Sequence, residues 1–191
     1  MGTRAMTNPE QAAFVYFMEL NDARSAMDLK PMNEAVDLIR GTMGRIYVAG
    51  NGGSAAIADH LCCDFTKGTH KEDSPPIKTF SLMSNVAMLT AISNDFDYAQ
   101  SISKQIEYYC TPTDLLILIS SSGNSPNVVQ ACQAAQAKWM KVIGLTGFHG
   151  GKLKEMADVS IHVPSSNYGI VEDTHQSIMH ILAQILKGGA A

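Results

Sequence analysis

The chain has 191 residues, 46% hydrophobic and 17% charged, enough for a folded domain with a sizeable core and inconsistent with a disordered segment. A formal net charge of −4 with no lysine/arginine cluster argues against a nucleic-acid protein that works by neutralising phosphates. No apolar run approaches the roughly 18 residues of a membrane span. The first residues, with Arg4 and Glu10, lack the pattern of a secretory signal. Cys62, Cys63, Cys110 and Cys132 show no C-x-x-C spacing, as expected of buried thiols in a reducing compartment, and a cytoplasmic location is expected.

Residues 1–8 are expected to be a loose end. From Pro9, a first-turn proline behind Asn8 as cap, the positions Phe14, Phe17, Met18, Ala26 and Met27 approximate a helical stripe. Pro31 breaks it, and Met32, Ala35, Val36, Ile39 and Met43 predict a second helix up to Gly44. These helices carry no chemistry, and their methionines and aromatics suit packing in the core or between subunits. Residues 1–43 are therefore expected to be a helical assembly segment, ahead of one domain at 44–191.

The apolar run 46–48 enters Ala49-Gly50-Asn51-Gly52-Gly53-Ser54 and then a helix over 55–65, the order of a strand, a tight turn and a helix N-terminus. After a polar turn at 68–76 come a strand at 77–82 and helices at 86–93 and 101–109. The continuous apolar run 115–119 predicts a strand buried on both faces. Then follow a serine loop, Ser120-Ser121-Ser122-Gly123-Asn124-Ser125, a helix at 127–138, a strand at 142–145, a short helix at 152–156, a strand at 159–163, a loop at 164–169 and a long helix at 171–186. This alternation predicts an α/β fold: a doubly wound sheet of about five parallel strands, with the N-terminal helices added. Ligands of such sheets sit outside the carboxyl ends of the strands, where both loops emerge.

The first loop fits only a relaxed dinucleotide pattern and has no Walker-type ending, and the strand at 77–82 does not end in an acidic residue, so nucleotide binding is a weak reading. Asn51, Gly52, Gly53 and Ser54 are candidate substrate contacts that shape the turn and admit a ligand. Ser120, Ser121, Ser122 and Ser125 offer hydroxyls beside backbone amides at a helix start, a better clamp for phosphate. The plain alternative is one capping serine and three solvated ones. His60 and Asp64, four apart, share a helix face, a spacing that suits metal ligation, proton transfer or a simple surface contact. Glu172, Gln176 and His180 repeat the spacing on the last helix. If the two helices converge, His60, Asp64, Glu172 and His180 form a site. Asp95, in a loop after a helix, is either a cap or an acceptor for a substrate hydroxyl.

Taken together, the first loop, the serine loop continued by Pro126-Asn127-Val128, Gly144-Leu145-Thr146-Gly147 and Gly150-Gly151-Lys152-Leu153 resemble the SIS (sugar isomerase) domain, and within it the phosphoheptose isomerases. The likeness runs from about Gly44 to Leu186 and includes Ser93-Asn94-Asp95-Phe96, His175 and His180. It implies interconversion of D-sedoheptulose 7-phosphate and D-glycero-D-manno-heptose 7-phosphate, in a homotetramer with shared sites. It also implies Asp64 and His180 as base and acid, phosphate contacts at Ser54 and the serine loop, and a divalent metal, zinc, at His60, Asp64, Glu172 and His180. The chain departs from that pattern in having Asp64 where glutamate is usual, Glu172 for glutamine and Gly169 for aspartate. The competing expectations are a non-catalytic phosphosugar-binding regulator or adaptor on the same scaffold, and an isomerase of another sugar phosphate.

Overall fold

Five parallel strands, β1 (Ile46–Gly50), β2 (Thr79–Ser81), β3 (Leu115–Ser120), β4 (Lys141–Thr146) and β5 (Val159–His162), form one sheet in the order β2-β1-β3-β4-β5 in a computed structural model that describes residues 8–188. Of the loose end expected at residues 1–8, residues 1–7 lie outside the described residues. Asn8 is the cap of α1 (Pro9–Ser25), its side chain accepting from the N–H groups of Glu10 and Gln11. Then come α2 (Lys30–Gly41), α3 (Gly53–Cys63), α4 (Val86–Asp95), α5 (Ser103–Tyr109), α6 (Pro126–Ala137), α7 (Gly151–Met156) and α8 (Tyr168–Lys187).

Every residue of β1 and β3 is buried, as the continuous apolar runs require, and successive side chains enter opposite layers. Val48, Ile117, Ile119 and Ile143 face the apolar sides of α1, α2, α3 and α8. Tyr47, Ala49, Leu116, Leu118 and Val142 face α5, α6 and α7. The strand order reverses between β1 and β3, so α3 leaves toward one face and α6 toward the other. A crevice opens at that switch point, between the first loop and the serine loop.

Four local departures from the expected elements bear on the site. β2 is three residues long, an edge strand that follows Pro75 and Pro76 and pairs only with β1. α4 runs on through Asp95, closed by the Phe96 N–H on the Ile92 carbonyl, so Asp95 ends a helix and does not lie in a loop after it. α8 begins at Tyr168, because the Asn167 side chain accepts from the Gly169 N–H and draws that segment into the first turn. α3 passes at Asp64 into a single π-helical turn, Asp64–Gly68, a distortion often found at functional sites.

His175 is fully buried on α8, and its Nε2–H donates to the Thr146 carbonyl at 3.2 Å. Burial pushes its pKa from 6.5 down to about 4, partly opposed by that hydrogen bond. The folded protein thus keeps His175 neutral where the unfolded chain takes up a proton. Its stabilising contribution is whole above about pH 6.5 and is lost as pH falls toward 4, a change on the order of 3 kcal/mol. The melting temperature is expected to fall across this window, and His175→Gln to flatten the fall; equal slopes in the two proteins would refute the assignment.

Candidate active site

The crevice at the switch point is a cleft of about 110 Å³ lined by Asn51, Ser54, Tyr168, Glu172 and all four loop serines. Behind the serine loop, backbone packs closely against backbone. Gly123 has φ +64°, a left-handed conformation, and a side chain there would strike the Gly150 carbonyl. The Gly150-Gly151 turn backs the serine loop through Leu153 N–H to Gly123 O at 3.0 Å and Lys152 N–H to Asn124 Oδ1 at 3.1 Å. Phe148, also at positive φ, stacks edge-on against Tyr168 at 4.7 Å on the rim.

The serines are not equivalent. Ser120 and Ser122 accept hydrogen bonds from the N–H groups of Gly123 and Asn124, holding the loop's own shape. Ser121 Oγ is buried without a partner among the described residues, and Ser125, at the N-cap of α6, makes no capping bond with its side chain. These two hydroxyls, with the Asn127 N–H, are donors left for an anion at the α6 start: Pro126 has no N–H, and those of Val128 and Val129 bond to Asn127 Oδ1 and the Ser125 carbonyl. Ser54 is buried in the first turn of α3.

Asn51 lines the cleft, but its amide is engaged with the protein. It exchanges two hydrogen bonds with the amide of Asn127, at 2.8 and 2.9 Å, and accepts a third from Tyr98 Oη at 2.8 Å. Asn127, absent from the sequence-based candidates, therefore ties the first loop to the serine loop. Its place in the first turn of α6 was the available signal. Gly52, at φ +56°, caps α3, and Gly53 opens it. The Glu172 carboxylate occupies the space a Gly53 side chain would need. Asp95 is exposed, lines neither the cleft nor the cluster below, and accepts from its neighbour Asn94 at 3.0 Å.

α3 and α8 both start at the cleft and run from it side by side. At the far end of this pair, His60, Asp64 and His180 have ligand atoms within 4.8 Å of one another. His180 Nδ1 lies 3.0 Å from Asp64 Oδ2, and His60 Nε2 lies 3.6 Å from Asp64 Oδ1. The two rings meet edge-on at 5.1 Å between centroids. Gln176 joins them, its Nε2 2.9 Å from His60 Nδ1 and 3.1 Å from His180 Nε2. Two imidazoles and a carboxylate are a donor set that fits a divalent transition metal. Glu172 stands outside this group: eight residues from His180, it is about 12 Å back along the helix axis, in the serine cleft. A larger hollow of about 390 Å³, among Ile39, Arg40, Pro76, Ile77 and Lys78, holds none of the candidate residues.

The SIS domain model matches residues 16–147, more than half of the chain. The chain belongs to the SIS domain family. It is 34% identical over 180 residues to a phosphoheptose isomerase of Rhodospirillum rubrum, covering 93% of each chain. Among solved structures, a phosphoheptose isomerase from Francisella tularensis superposes with a TM-score of 0.88 at 29% identity, and one from Neisseria gonorrhoeae with 0.86 at 30%. Each covers 95% of this SIS chain and 100% of its counterpart.

Because Ser121 Oγ bonds to nothing among the described residues, Ser121→Ala is expected to leave urea stability nearly unchanged while weakening inorganic phosphate binding roughly tenfold, the loss of a hydrogen bond to a charged ligand. Calorimetric titration with phosphate checks this, and equal affinity would remove Ser121 from the anion site.

Proposed function

We propose that the chain is an aldose–ketose isomerase of the phosphoheptose isomerase type, interconverting D-sedoheptulose 7-phosphate and D-glycero-D-manno-heptose 7-phosphate. The observation that carries this reading is the 3.0 Å contact between Asp64 and His180, at the end of the same helix pair that begins at the serine cleft. A carboxylate and an imidazole in contact can move one proton to and from carbon while a clamp at the other end holds a phosphate.

Isomerisation transfers a hydrogen between adjacent carbons through an enediol. Asp64 takes the proton from the carbon next to the carbonyl, and His180 gives a proton to the carbonyl oxygen. His180 then takes the proton of the enediol's other hydroxyl and Asp64 returns its own to the neighbouring carbon, so each group is restored with no net proton taken up. Ser121, Ser125 and the Asn127 N–H at the α6 start hold the phosphate, and among the described residues no lysine lines the cleft to do so. His60, Asp64 and His180 would hold a divalent cation, which we take to be zinc. Such an ion would polarise the substrate carbonyl.

Assembly into a homotetramer with shared sites is part of the same proposal. α1, in the proposed assembly segment of residues 1–43, leaves Phe14 and Phe17 about two-thirds exposed, and α8 leaves Ile181 and Ile185 partly exposed, apolar surface that association would cover. The same proposal assigns Asp95, exposed and outside this chain's own cleft, to orient a hydroxyl of a neighbouring copy's substrate. A cytoplasmic location is supported by the four free cysteines, and no helix among the described residues is long and apolar enough to cross a membrane.

Incubation with sedoheptulose 7-phosphate is expected to yield the aldose; its absence would leave a non-catalytic sugar-phosphate binder. His180→Gln is expected to lower turnover by about 10²–10⁴-fold with phosphosugar binding retained. Protein purified without chelator is expected to contain zinc by elemental analysis.

A further inference from the structure

We propose that Gln176 sets the tautomers of both imidazoles in the cation site, and turns its carboxamide end for end when a divalent cation binds. The inference rests on the cation reading above and concerns a residue outside the expected ligand set. His180 is hydrogen-bonded to both Asp64 and this carboxamide, and His60 is hydrogen-bonded to the carboxamide with its other nitrogen 3.6 Å from Asp64. His180 presents Nδ1 to Asp64 and Nε2 to Gln176, and His60 presents Nε2 to Asp64 and Nδ1 to Gln176.

A neutral imidazole has one N–H and one lone pair. A carboxylate can only accept, so without a cation both ring protons face Asp64 and both lone pairs face Gln176. The amide NH₂ has two hydrogens, one for each lone pair, in agreement with Nε2 lying 2.9 and 3.1 Å from the two ring nitrogens. A cation held with Asp64 reverses the demand. It needs the lone pairs of His60 Nε2 and His180 Nδ1, so the protons move to His60 Nδ1 and His180 Nε2, where they need an acceptor.

The other end of the same side chain supplies it. A half-turn about the last side-chain bond puts the carbonyl oxygen, with two lone pairs, where the nitrogen was. Lysine could serve only the empty state and glutamate only the loaded one; a carboxamide serves both. Partners of this kind, bonded to the far nitrogen of a ligating histidine, orient the ring and raise its basicity. Glu172 cannot substitute, since its carboxylate lies one helical turn back, against Gly53.

The test follows zinc binding by competition with a chromophoric chelator, and the ring nitrogens by ¹⁵N NMR, at a pH where free histidine is neutral. Metal-free protein is expected to show His60 protonated on Nε2 and His180 on Nδ1, and zinc to exchange both. Gln176→Leu is expected to bind zinc about 10–100-fold more weakly, Gln176→Glu to recover most of that loss, and Glu172→Gln to bind like the parent. Tautomers that zinc leaves unchanged, or parental affinity in Gln176→Leu, would overturn this inference and leave the cation site standing. A parent chain that binds no zinc would overturn both.

Discussion

The packing of α3 against α8 is the contact on which the rest of the site depends. Ile57, Ala58, Leu61 and Phe65 from one side, and Ile178, Met179 and Leu182 from the other, belong to a single buried cluster on one face of the sheet. Their burial sets the rotation of each helix about its axis. The polar residues on the rim of this contact are thereby carried into register, although His60 and Gln176, like Asp64 and His180, stand 116 residues apart in the chain. A one-residue slip would turn a helix by about 100° and take its polar residue out of reach. The chemistry is positioned by apolar packing and needs no covalent tie.

Both helices also begin at the cleft, and this joins the proposed anion-binding end to the proposed acid–base end. The sheet order puts the β1 and β3 loops side by side at the switch point, and the amide pair of Asn51 and Asn127 locks one loop to the other. Anion binding there relies on neutral donors. Two of the four serines are consumed in holding the loop, which leaves Ser121 and Ser125 for a ligand. The Glu172 carboxylate in the same cleft sits against the start of α3, where the partial positive charge of the helix favours it. That position offsets the cost of an acidic group beside an anion site, and Gly53 makes it sterically accessible.

The two histidines on α8 show how environment separates residues of one type. His175 points into the core, is held neutral by burial, and stabilises the end of β4 through the Thr146 carbonyl. His180, a turn and a half further on, reaches the helix rim, half-exposed and in contact with a carboxylate. Both were visible as histidines on a predicted helix, but only the direction each faces makes one structural and the other chemical.

Much of the architecture was legible from residue order. Continuous apolar runs at β1 and β3, glycines at tight turns, and prolines at the starts of α1 and α6 act locally, so the α/β alternation, the parallel sheet and the two ligand loops could be read before any contact was known. The i, i+4 spacing of His60 and Asp64, and of Gln176 and His180, likewise follows from helix geometry alone. What the linear chain could not express was relative placement. Glu172 and Gln176 lie on the same helix, one turn apart, and both look like partners for His180. Only the tertiary structure decides that Gln176 meets the imidazoles while Glu172 faces the serine cleft, because that choice depends on how far α8 advances along α3, a distance set by packing between residues remote in sequence.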